Sequence, residues 1–146
     1  TAMFGKNHNT PAWETGPAGP LQHWPTGMGF DYFYGFHGWG TSNWHPVLYE
    51  NTRPYVLERP PGYHLNPDLA NHAIDWARSV KSQDPRQPFF LYFATGATHS
   101  PHHAPRPGDL ASDRAAGAVA VYVHDSLCEQ DPSQPGRTEN RRPPGQ

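Results

Sequence analysis

Residues 66–94 run Asn66-Pro67-Asp68-Leu69-Ala70-Asn71-His72-Ala73-Ile74-Asp75-Trp76-Ala77-Arg78-Ser79-Val80-Lys81-Ser82-Gln83-Asp84-Pro85-Arg86-Gln87-Pro88-Phe89-Phe90-Leu91-Tyr92-Phe93-Ala94, and this stretch decides the fold class. Asn66 is a capping residue, Pro67 suits the first helical position, and Asp68 sets negative charge at the positive end of the helix dipole. Leu69, Ala70, Ala73, Ile74, Ala77 and Val80 recur at three- and four-residue spacing and make one apolar face, with Asp75, Arg78 and Lys81 on the wet side. The helix should stop near Ser82, because a residue before proline avoids helical dihedrals. Phe89–Ala94 then gives six apolar residues without alternation, which predicts an interior parallel strand buried on both faces. Helix, short loop and continuous apolar strand form half of a βαβ unit, so the chain reads as α/β.

Working outward, Thr1-Ala2-Met3-Phe4-Gly5 is a short apolar run that suits a second buried strand, followed by the polar loop Lys6-Asn7-His8-Asn9-Thr10-Pro11. Residues 12–61 are dense in Pro, Gly and aromatics and hold no period of 2 or 3.6 for long, so they read as a packed layer of aromatic loops. After Ala94 comes a second polar loop, Thr95-Gly96-Ala97-Thr98-His99-Ser100-Pro101-His102-His103-Ala104-Pro105. From Arg106 the character changes. Residues 118–123 suit a strand or a frayed helix, and 129–146 are Pro-, Gln- and Arg-rich with almost no apolar residue, which predicts a disordered tail. The chain opens without an initiator Met and inside an apolar run, as an internal fragment would.

The composition excludes several function classes. With 18 Pro and 14 Gly in 146 residues, about a fifth of the chain punctuates the backbone, which neither coiled coils nor helical repeats tolerate. Aromatic residues at 13% and charged residues at 16% are the reverse of a disordered polyampholyte. No apolar run approaches the roughly 18 residues of a membrane span. Eleven Lys and Arg stand against 13 Asp and Glu, and no basic stripe precedes the last dozen residues, so neither a nucleic acid nor a membrane is an expected partner. The single cysteine, Cys128, allows no internal disulfide and leaves the compartment open.

In open parallel sheets, ligands bind at the carboxyl ends of the strands. Neighbouring strands lie about 4.8 Å apart, so the two polar loops can converge on one small ligand. Lys6 and His8, two apart in an extended segment, face one side while Asn7 faces away. His99 enters from the second loop, with His102 and His103 close behind. An ammonium and several imidazoles with no carboxylate among them suit an anionic group of phosphate or sulfate type, the lysine as point charge and the histidines as proton donors or acceptors. Ten histidines in the chain make chance clustering easy. His23, His37, His45, His64, His72 and His124 therefore read as structural, and His102 and His103 as part of a solvated loop. His99-x-x-His102-His103 has ligand spacing for zinc but lacks a third partner at a recognisable distance. Without basic neighbours, the Trp, Tyr and Phe residues between 24 and 39 read as packing.

These residues resemble a known family. Thr1–Pro11 is similar to the sulfatase motif of type Gly-Lys-Trp-His, with Asn7 in place of Trp. Trp24-Pro25-Thr26-Gly27-Met28-Gly29-Phe30-Asp31-Tyr32-Phe33-Tyr34-Gly35-Phe36 resembles the segment that follows it in bacterial arylsulfatases. Tyr63-His64-Leu65, the helix and Pro88–Pro105 continue in the same order, so the likeness spans residues 1–105.

The resemblance implies a partial alkaline-phosphatase-like fold, a mixed or parallel sheet with a flanking helix, and hydrolysis of sulfate esters to an alcohol or phenol plus sulfate. Residues 1–105 would be part of the catalytic domain and 106–146 a divergent tail. Family members use a formylglycine, made from the cysteine of a Cys-x-Pro-x-Arg motif, and a calcium ion held by Asp and Asn side chains. By position, Lys6 would contact the sulfate and the formylglycine. His8 would be the base that collapses the sulfated hydrate. His99 would bind the ester and help protonate the departing oxygen. Cys128 lies in Cys128-Glu129-Gln130-Asp131-Pro132-Ser133, which is not the modification motif, and neither the metal carboxylates nor the second lysine has a match. The expectation is therefore a sulfatase fragment, inactive alone and without calcium ligands of its own. A related phosphoryl hydrolase of the same superfamily and a non-catalytic binding remnant are the two other readings.

Overall fold

Three parallel strands carry the centre of the sheet: β1 (Ala2–Asn7), β2 (Tyr32–His37) and, after the helix, the strand Leu91–Ala94. Two short strands, β3 (Leu48–Glu50) and β4 (Arg53–Tyr55), extend it antiparallel, and the last strand is β5. The computed structural model describes residues 1–96, 99 and 103. The segment expected to change character after Arg106, with Cys128, His102 and His124, lies outside the described residues. Strand order is β4-β3-β2-β1-β5, with β1 paired in parallel to β2 on one side and β5 on the other. The α/β reading and the mixed sheet hold.

The helix α1 (Leu65–Gln83) packs on one face of this sheet. Its N-cap is His64 and not Asn66: His64 Nδ1 accepts the Asn66 N–H at 3.2 Å, which moves Asn66 and Pro67 inside the first turn. Leu65, Leu69 and Ala73 are buried against Ala2, Phe4, Tyr34, Phe36 and Leu48. Each large side chain so removed from water stabilises the fold by about 1.5–3 kcal/mol before entropy is counted. Trp76 joins them with its ring 6.2 Å from that of Phe4, whereas Ile74 is left exposed. The seam runs 65-69-73-76, and Ile74 stands about 100° around the helix from Ala73. Lys81 turns back from solvent, its Nζ donating to the carbonyls of Pro85 and Gln87 at 3.0 and 2.9 Å, and so closes the helix end onto the loop that feeds β5.

The opposite face is covered by the loop between β1 and β2. Trp24 is fully buried, its indole N–H donating to Glu14 O at 2.7 Å and its ring lying 4.1 Å from His37 and 5.2 Å from Tyr49. Helix, sheet and aromatic loop thus form three layers. The loop layer expected over residues 12–61 is present, but three strands run inside it. β2 escapes a periodicity search because both of its faces are buried, by α1 and by Trp24, so Tyr32–His37 never alternates with polar residues. The expectation for Phe89–Ala94 also changes. The regular strand is Leu91–Ala94, it pairs only with β1 among the described residues, and Phe90 and Tyr92 are exposed. The interior parallel strand is β1, which runs on through Lys6 and Asn7.

One row across β2, β1 and β5 reads Gly35, Gly5, Ala94. Gly5 has φ +101°, and a Cβ there would stand 1.9 Å from Ala94 O. A Cβ on Gly35 would stand 1.9 Å from Gly5 O. The backbones approach too closely for a side chain at either glycine of this row, one residue before Lys6.

Candidate active site at the strand ends

At the end of β1, Asn7 is buried and fully used. Its Nδ2 donates to Thr10 Oγ1 at 2.8 Å and to His37 Nδ1 at 3.2 Å, while its Oδ1 accepts the Asn9 N–H at 3.1 Å. That last bond makes a turn from residue 7 to residue 9 and leaves His8 exposed at its corner. Thr10 passes the tether on, its hydroxyl donating to His23 O at 2.7 Å. Because Asn7 donates to Nδ1, the His37 imidazole is the neutral tautomer with its proton on Nε2. Burial pushes its pKa down to about 4, and Nε2 has no hydrogen-bond partner among the described residues.

The next strand end lies beside the first. The Gly38 N–H donates to Asn7 O at 2.8 Å, carrying the β1–β2 pairing one step further and setting Trp39 next to His8. The indole of Trp39 meets His8 with ring centroids 6.2 Å apart and His99 at 5.4 Å, nearly perpendicular in both cases. His99 follows β5, its N–H bonded to Gly96 O at 3.0 Å. The two imidazoles therefore share one aromatic neighbour and cannot lie further apart than those two separations laid end to end. Lys6 is register-paired with Phe36, part of the cluster under α1; it is half-buried, and its ammonium makes no ion pair or hydrogen bond among the described residues.

His103 reverses the reading of a solvated loop. It is half-buried, its Nδ1 accepts the Asn43 N–H at 3.3 Å and its carbonyl accepts from Asn43 Nδ2 at 3.4 Å. The same carbonyl accepts from His64 Nε2 at 3.0 Å. His64 thus caps α1 with one nitrogen and holds the His103 carbonyl with the other. The sequence gives no hint of this, since Asn43 and His103 are 60 residues apart.

Several other charged groups have partners away from the strand ends. Asp68 accepts from Tyr34 Oη at 2.7 Å and Tyr63 Oη at 3.1 Å, and pairs with His72, whose ring stacks 3.8 Å from that of Tyr34. Burial raises the Asp68 carboxyl, but the hydrogen bonds from His72 and Tyr34 outweigh it and hold the group below its ordinary value. His72 is raised in turn by its bond to Asp68. His23 pairs with the buried Glu14 at 2.6 Å, and His45 meets Arg59. These are fastening roles, as composition suggested for those histidines. Among the described residues no three His, Cys, Asp or Glu side chains converge on a cation position, and no helix is long and apolar enough to cross a membrane.

Lys6 and His8 thus stand at the carboxyl end of β1, and His99 follows the neighbouring parallel strand β5. Residues 1–118 match the family model described as Sulfatase. Over 86 residues the chain is 41% identical to a protein of Escherichia coli (strain K12) named uncharacterized sulfatase YdeN, covering 57% of this chain and 14% of that one. Among solved structures it resembles Ps i-CgsB in complex with k-i-k-neocarrahexaose, with a TM-score of 0.54 and 26% identity over 72% of this chain and 25% of that one. A second crystal structure of Ps i-CgsB gives the same TM-score at 25% identity, over 73% and 25%. The chain spans about a seventh of the length of YdeN and a quarter of Ps i-CgsB. On the strength of a match that covers most of its length, and of a fold that agrees with it, the chain belongs to the sulfatase family.

Proposed function

We propose that the ends of β1 and β5 form the ester-binding half of a sulfatase active site, with Lys6, His8 and His99 as its chemical groups. The observation that carries this reading is the Trp39 ring lying near both imidazoles, since it brings residues 91 positions apart to one aromatic neighbour. Lys6 supplies positive charge to a sulfuryl oxygen. His8 serves as base on the sulfate side, and His99 as donor to the alcohol or phenol oxygen, which leaves poorly as an unprotonated alkoxide. The substrate is a sulfate ester of an aromatic or carbohydrate alcohol. The aryl class follows from the likeness to arylsulfatases. The carbohydrate class follows from the oligosaccharide held by Ps i-CgsB.

Sulfatases draw their nucleophile from formylglycine and much of their charge stabilisation from calcium. The described residues contain no cysteine and no convergent carboxylates to hold either group, and the buried carboxylate Asp68 is committed to Tyr34, Tyr63 and His72. No step here runs through them. One cation and two imidazoles without a nucleophile bind the ester but do not cleave it at a useful rate, so the chain alone is an inactive piece of an arylsulfatase-like enzyme.

Titration with inorganic sulfate, followed through the imidazole resonances, tests the reading. His8 and His99 should shift together with one apparent Kd, and Lys6→Ala should weaken that Kd several-fold. Independent shifts, or none, would overturn it. Turnover of 4-nitrophenyl sulfate by the purified chain, abolished in Lys6→Ala, would refute the claim of inactivity.

A further inference from the structure

Trp39 is out of place as a packing residue. It is 72% exposed although two imidazoles lie against it, while Trp24, the core tryptophan of the same aromatic loop layer, is completely buried. Exposing so large an apolar ring forgoes burial energy that the fold would otherwise gain. Its position is nonetheless fixed. The Gly38 N–H is bonded to Asn7 O, and Gly38 adopts φ +85°, a left-handed turn that swings the following residue out of the line of β2. An indole that stands in water beside two imidazoles is suited to contact with something that arrives.

We infer that Trp39 is a platform for the ring of the alcohol that carries the sulfate, so that the site selects aromatic and pyranose sulfate esters over acyclic ones. The inference rests on the active-site reading above and adds a specificity-determining residue to it. Indole offers a flat apolar surface to an aromatic ring or to the C–H face of a sugar, and gives little to a short flexible chain or to free sulfate. Contact with both His8 and His99 puts that surface within reach of the ester oxygen on which His99 acts. The ring thereby aligns the leaving oxygen as well as adding affinity.

The test measures Kd for inorganic sulfate, propyl sulfate, phenyl sulfate and a methyl galactoside sulfate, by resonance shifts in the chain and two variants. Trp39→Ala should weaken phenyl sulfate and the galactoside sulfate about five- to tenfold and leave inorganic and propyl sulfate unchanged. Trp39→Phe should recover most of the loss, and phenyl sulfate should shift the Trp39 indole N–H. Equal weakening of all four probes would show that Trp39 only props the histidines, and no change for the ring esters would remove the platform; either result overturns the inference. If inorganic sulfate leaves His8 and His99 unmoved while phenyl sulfate still depends on Trp39, the anion pocket fails and the platform stands.

Discussion

Gly5→Ala is the sharpest perturbation of the sheet that builds the site. Two costs meet at this position. The first is conformational, because φ +101° lies in a region that a residue with a side chain occupies at about 1–2 kcal/mol. The second is steric. The new Cβ would sit 1.9 Å from Ala94 O and 2.7 Å from Ala94 C, so β1 and β5 must part by more than an ångström. Both atoms belong to the backbone and cannot rotate away, and overpacking of this kind costs about 1–3 kcal/mol. The sum is about 2–5 kcal/mol, a large share of the roughly 5–15 kcal/mol that holds a domain together. Two controls separate the costs. Gly29 has φ +110° with nothing within 4 Å of its Cβ position, so Gly29→Ala should lose only the conformational part. Gly35 has no left-handed φ but would clash with Gly5 O, C and N, so Gly35→Ala should lose only the steric part. Urea midpoints read by circular dichroism measure all three. A Gly5→Ala protein within about 0.5 kcal/mol of the parent would refute the close-approach argument, as would Gly29→Ala proving the worst of the series.

Three further outcomes follow from particular contacts. His37 has a folded pKa depressed to about 4 by burial, so between its ordinary value of 6.5 and about 4 the unfolded chain binds a proton that the folded chain refuses. Stability should therefore fall as pH drops through that window, and His37→Gln should flatten this limb in urea midpoints taken from pH 7 to pH 4. Asn43→Ala removes the bond from its Nδ2 to the His103 carbonyl while keeping the backbone N–H bond to His103 Nδ1, and should cost about 1 kcal/mol in the urea midpoint, with exchange broadening of the His103 imidazole; a sharp, unmoved resonance would deny the tether. Tyr92 is 48% exposed on β5, which pairs only with β1 among the described residues, so Tyr92→Lys should reduce concentration-dependent association in sedimentation while leaving the melt nearly unchanged.

How far the sequence discloses this fold depends on which neighbours each element has. α1 was legible because a single face is buried, and a single buried face leaves a 3.6-residue signature. Its cap was not, because His64 is an unusual capping residue whose ring also serves the distant His103. β1 and the Phe89–Ala94 run were legible as apolar strands, but which of them lies inside the sheet is a matter of pairing. Pairing is not written in local composition. β2 was illegible for the opposite reason: two buried faces erase alternation, and Gly35, which reads as a breaker, is required by the backbone of Gly5. The same glycine that hides the strand from a propensity argument makes the strand possible.

The site divides along a similar line. Lys6, His8 and His99 could be proposed from the sequence because charge and imidazole chemistry are properties of single residues, and because several motifs run through them in family order. Trp39 could not, since its meaning lies in exposure, and exposure belongs to the fold. In the sequence it is one of five tryptophans in an aromatic-rich chain, and packing is the sound default for such a residue. Only when β1 and β2 are paired, and the Gly38 N–H is seen to bond Asn7 O, does this indole come to stand in water between two imidazoles. If Trp39 is the platform proposed, substrate choice is set less by the residues proposed to act on sulfate than by what the neighbouring strand end presents beside them. On the proposed reading, a relative with a small residue at this position would keep the anion chemistry and lose the preference for rings, and position 39 would be the place where specificity can change without disturbing the reaction.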